Sequence, residues 1–98
     1  MSDKFTAAQA AGIAKAKDPS FAVETILAGV KKAAGEGRYE YKTREFGFGD
    51  GSCYTSEDKY PPLCKAIIQE LRQLGYKVRI GIQESQFVDI WLEVSWMP

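Results

Sequence analysis

The chain contains no histidine. That removes the usual general base at neutral pH, the Ser-His-Asp and Cys-His nucleophile arrangements, and histidine-based zinc sites. It has no net charge, because thirteen basic side chains cancel thirteen acidic ones, which argues against broad adhesion to extended nucleic acid or to membranes. No run approaches the roughly 20 apolar residues of a membrane span. Met1-Ser2-Asp3-Lys4 does not open a signal peptide, so a cytoplasmic location is expected. Cysteine is scarce: only Cys53 and Cys64. The pair could form a disulfide, but a reducing compartment disfavours one, and two thiols alone make no structural zinc site. Cys64 falls on the apolar side of a helix and reads as core filler, whereas Cys53 falls in a loop and is expected to be exposed.

Other signatures are missing too. Gly47-Phe48-Gly49-Asp50-Gly51 lacks the lysine and helix start of a phosphate loop, and reads as a flexible connection. Asp50-Gly51-Ser52 lacks the spaced oxygen ligands of a calcium loop. Asp89 and Glu93 read as solubilising charges rather than a catalytic pair. The expectation is a protein with no cofactor and no enzymatic activity.

What is present is a strong pattern over residues 63–96. Pro61 and Pro62 can open a helix. Leu63, Ile67, Leu71 and Leu74 recur at helical spacing, with Cys64 and Ile68 beside them, and Gly75 supplies a left-handed cap. Tyr76 to Ile82 then alternates, with Val78, Ile80 and Ile82 on one face and Lys77, Arg79 and Gly81 on the other. After a polar turn at Gln83 to Gln86, Val88, Ile90, Leu92, Val94 and Trp96 share one face, and Phe87, Asp89, Trp91, Glu93 and Ser95 the other. Antiparallel pairing of the two runs follows.

Upstream, Phe5 to Lys17 predicts an alanine-rich helix with a thin stripe of Phe5, Ala8, Gly12, Ile13 and Ala16. Asp18-Pro19 caps and starts a second helix to about Ala34, with Val23, Ile26, Leu27, Val30 and Ala34 on its apolar face and Gly35-Glu36-Gly37 as its stop. Arg38 to Phe48 predicts a strand, with Tyr39, Tyr41 and Thr43 on one face and a bulge near Arg44-Glu45 where the phase slips. Residues 47–62 read as a long mobile loop. The fold expected is α+β: a single domain over residues 1–98, with residues 1–18 as a helical arm and 19–98 as the core. The first helix either lies against the domain or reaches out as an arm to pack on another subunit. The order is helix, helix, strand, helix, strand, strand. A small three-stranded sheet carries helices on one face. A right-handed crossover could set the first strand parallel to the second, giving a mixed sheet with open edges that invite subunit pairing.

The opposite sheet face carries the candidate site. Arg38, Glu40, Lys42 and Arg44 come from the first strand, Lys77 and Arg79 from the second, Phe87, Asp89 and Trp91 from the third. Arginine grips phosphate and an indole stacks on a base, so Arg44, Lys77, Arg79 and Trp91 are the candidate ligand-binding residues. The competing readings are a subunit contact through Phe87 and Trp91, and an ordinary solvated or helix-covered face.

Three stretches resemble a diffuse group of short bacteriophage proteins: Ala33-Ala34-Gly35-Glu36-Gly37-Arg38-Tyr39, Leu71-Arg72-Gln73-Leu74-Gly75-Tyr76-Lys77-Val78, and Asp89-Ile90-Trp91. The loop from Gly47 to Tyr60 and the double proline depart from that pattern. The resemblance implies a non-enzymatic accessory protein made during infection and acting in the host cytoplasm, one that binds a host protein or sequesters a nucleotide-derived signal of antiviral defence. It carries over no functional residue. The leading expectation is therefore a homo-oligomeric binding protein that captures such a nucleotide-derived small molecule. The alternatives are an inhibitor or adaptor of a host protein, and a structural component of a virion or assembly.

Overall fold

The computed structural model describes residues 4–16 and 18–98. The order is α1 (Ala7–Ala16), α2 (Pro19–Gly35), β1 (Glu40–Thr43), a short 3-10 turn (Glu57–Lys59), α3 (Pro62–Gln73), β2 (Lys77–Glu84) and β3 (Val88–Ser95). It is the α+β arrangement expected.

Local chemistry sets the helix ends. The Asp18 carboxylate accepts the Ser20 N–H at 3.0 Å, satisfying one of the free donors at the start of α2, and Pro19 fits the first turn. The stop of α2 uses Gly37 at φ +81, which lets the Arg38 N–H return to the Ala33 carbonyl at 3.0 Å. Gly75 at φ +99 does the same for α3, with the Tyr76 N–H donating to Leu71.

The core lies between the two long helices and one sheet face. Ala22, Val23, Ile26 and Val30 of α2 meet Cys64, Ile67, Ile68 and Leu71 of α3, over Val78, Leu92 and Val94 of the sheet. Tyr76 and Trp96 close one end edge to face, with ring centroids 6.2 Å apart.

Several expectations need correction. The sheet is wholly antiparallel, not mixed. Its order is β1-β3-β2, so the crossover through α3 leaves a gap that β3 fills from the hairpin. The first strand is only Glu40–Thr43, because at Arg44 the chain leaves the ladder for a turn in which Phe46 takes φ +62 and Gly47 φ +90. No bulge is involved. The phase slip instead marks a turn that drives Phe48 into the core.

The segment after it is not a loose connection. Phe48 and Cys53 are both wholly buried, so Cys53 is a core residue rather than an exposed one. The Cys53 and Cys64 thiols contact each other and remain free. Burial pushes the Cys64 thiol up to about 12, and the Cys53 thiol is raised for the same reason, so both stay neutral at physiological pH.

The apolar stripes are also narrower than their patterns. Leu74, at the end of α3, and Ile82 and Val88, near the hairpin turn, carry the right phase but are exposed. Ala33, not Ala34, completes the buried face of α2. Helix α1 exposes Ala8 and Ile13, and Phe5 before it is exposed too. The expected helix end at Lys17 and the side chains of Gly12 and Ala16 lie outside the described residues.

Candidate binding face of the sheet

Alternation along three paired strands puts Glu40 and Lys42, Lys77, Arg79 and Gly81, and Asp89, Trp91, Glu93 and Ser95 on the face away from the helices. Arg44 follows directly after β1 and joins them. The register explains who meets whom. Glu93 sits opposite Lys42 on one side and Arg79 on the other. Its carboxylate accepts the Arg79 Nε–H at 2.6 Å and lies 3.9 Å from the Lys42 ammonium. Arg44 clasps Asp89 with both arms of its fork, Nε to Oδ1 at 2.8 Å and Nη2 to Oδ2 at 2.6 Å. That contact holds the Asp89 carboxyl below the usual carboxylate range and raises the Arg44 guanidinium further.

Trp91 occupies the middle. Its cross-strand neighbour on β2 is Gly81, and a Cβ there would lie 2.3 Å from indole atoms Cε2 and Nε1. The ring therefore lies on the bare glycine backbone. Lys42 Nζ and Arg44 Cζ each stand 5.5 Å from the ring centroid, within cation–π range. The indole Nε1 is buried and has no hydrogen-bond partner. A donor left so costs roughly 1–3 kcal/mol.

Of the candidate residues, the structure brings Arg44 and Trp91 into contact and ties Arg79 to the same array through Glu93. Lys77 lies on the face but at the far end, about 13 Å along the strand from Gly81. Phe87 sits in the turn before β3 and is 77% exposed. Sequence reasoning missed two partners. Lys42 is a contact of Trp91, and Gly81 is its seat. A glycine in mid-strand signals the close approach of another group, and that signal was there to read. Asp89 and Glu93, read as solubilising charges, are the counter-ions of the arginines.

One cleft touches the rim of this face, lined by Arg38, Tyr39, Glu40, Ser95 and Met97. Another, about 620 Å³, runs along α3 between Glu57, Lys65, Ile68 and Arg72, where Arg72 grips Glu57 at 2.9 and 3.1 Å. Among the described residues no cluster of His, Cys, Asp or Glu could hold a metal ion, and no helix is long and apolar enough to cross a membrane. Comparison with protein-family models, with curated proteins and with solved structures finds no match.

Proposed function

We propose that the chain is a small non-enzymatic binding protein that presents the open face of its sheet to a protein partner, with Trp91 as the anchor. The observation that carries this reading is the pairing of the cations. Arg44 and Arg79 are already neutralised by Asp89 and Glu93, so phosphate would have to displace a carboxylate from each. A cleft of about 620 Å³ lies along α3, away from these residues, whereas small ligands favour clefts. Tryptophan and arginine are the residues that dominate protein interfaces. The resemblance to short bacteriophage proteins supports a partner in an infected host, with antiviral defence as the process opposed.

A second reading keeps the same residues for a planar anion such as a nucleotide-derived signal. It is favoured by the two cations over the indole. Native mass spectrometry separates the two, comparing wild type with Trp91→Ala after each is exposed to lysate of the producing cells. The proposal expects a protein-sized mass gain that Trp91→Ala loses. A gain of a few hundred daltons with the same dependence would replace it by the second reading. A gain indifferent to Trp91 would sink both.

A further inference from the structure

Strand β2 is eight residues long and lies at the edge of the sheet. Two hydrogen bonds tell which of its backbone groups point outward. The Trp96 N–H donates to the Tyr39 carbonyl at 3.0 Å, in line with the β1–β3 register. Even-numbered residues of β3 therefore turn their N–H and C=O toward β1, and odd-numbered ones toward β2. Since Gly81 pairs with Trp91 and Gln83 with Asp89, odd-numbered β2 residues bond β3. Val78, Ile80, Ile82 and Glu84 then aim theirs outward. Arg72 agrees from the other side, because its Nη2 donates to the outward Val78 carbonyl at 2.9 Å.

Protection of this edge is one-ended. Arg72 occupies Val78, and Lys77 and Arg79 place charge beside it. From Ile80 to Glu84 there is no proline, no bulge and no inward-pointing charge before Glu84, the devices that usually blunt an edge. The inward-phase Ile82 in the middle of that stretch is 45% exposed.

We propose that β2 pairs antiparallel with β2 of a second copy about a twofold axis at Ile82, joining two three-stranded sheets into one of six strands. A twofold perpendicular to the sheet keeps each face on its own side, so residues of like parity must oppose one another. The register centred on Ile82 uses the outward groups of Ile80, Ile82 and Glu84. Ile82 bonds its own mate, and Ile80 bonds Glu84 of the second copy, on the order of six hydrogen bonds in all. Val78 keeps its carbonyl for Arg72. On the inner face the two Ile82 side chains cover each other, and Ile80 lies on the aliphatic stem of Glu84, whose carboxylate accepts the Tyr54 hydroxyl at 2.6 Å. Arg79 falls beside Ser85, so no like charges meet. A foreign strand would gain backbone bonds but not this reciprocity. The pairing stands independently of the partner proposed for the outer face.

The test is sedimentation of the full chain over a concentration series, beside Ile82→Pro and Ile82→Cys. Proline at 82 removes a donor that the single chain does not use, so the ladder to β3 survives. Wild type should weigh twice its 10.9 kDa chain, and Ile82→Pro should be monomeric with an unchanged circular dichroism spectrum. Ile82→Cys should crosslink to its mate under a mild oxidant, since opposed Cα atoms at about 5.5 Å suit a disulfide and Cys53 and Cys64 are buried. A wild type monomeric at every concentration would overturn the proposal. So would an Ile82→Pro dimer, or failure of Ile82→Cys to crosslink, which also decides the matter should the proline variant not fold.

Discussion

At the scale of the residue, Gly81 and Trp91 define the outer face. The indole can lie across β2 only because Gly81 has no side chain. Gly81→Ala would push a methyl into the ring, and rotation of the indole would also disturb the cations above it. Overpacking of this kind costs about 1–3 kcal/mol. Urea unfolding of Gly81→Ala should show a lowered midpoint, with a shift in tryptophan emission in the folded state. An unchanged midpoint and spectrum would mean that the ring does not rest on Gly81 in solution. Legibility at this scale was mixed. Cys64 declared itself by its position on the apolar side of a helix. Cys53 did not, because a loop of glycine and serine gives no sign that its middle will be turned inward. Phe46, Gly47 and Gly51, all at positive φ, shape that turn, and the phase slip that betrays it looks in sequence like a bulge.

At the scale of the element, α2, α3, β2 and β3 were readable because each has period, cap and length in agreement. Strand β1 was overextended because Phe46 and Phe48 continue the apolar series past Thr43, where the chain leaves the ladder for a turn. Strand order was not legible. A crossover fixes two strands parallel but does not say whether a third inserts between them, and here β3 does. Helix α1 is alanine-rich, and Ile13 within it and Phe5 before it are exposed, so the segment adds little to the core. Removing residues 1–17 while keeping the Asp18 cap should cost under about 1 kcal/mol of unfolding free energy, as expected for a change that opens no cavity. Thermal unfolding of the shortened chain checks this. A loss of several kcal/mol would show that α1 packs more tightly than its exposure indicates.

At the scale of the molecule, the Cα radius of gyration is 15.4 Å, against about 12.6 Å for a compact chain of this length. The excess reflects a molecule drawn out to 53 Å along one axis. The sheet is likewise unfinished: its outer face is uncovered, and half of β2 offers unpaired backbone. The candidate face was legible as a set of residues, since alternation alone put Arg44, Lys77, Arg79 and Trp91 on one side. Its charge balance was not, because which carboxylate meets which guanidinium depends on register. The same pairings give the face a pH dependence. Asp89 is held low by Arg44, so the Arg44–Asp89 contact persists down to acid pH and is lost only as pH falls through that lowered value.

Residue-resolved amide hydrogen exchange by nuclear magnetic resonance tests the unfinished sheet most directly, run at several protein concentrations. Ile80, Ile82 and Glu84 amides should exchange fast in dilute solution and slow as concentration rises, while the odd-numbered β2 amides stay protected throughout. Protection of Ile82 that is already full in dilute solution, or absent at every concentration, would contradict the account.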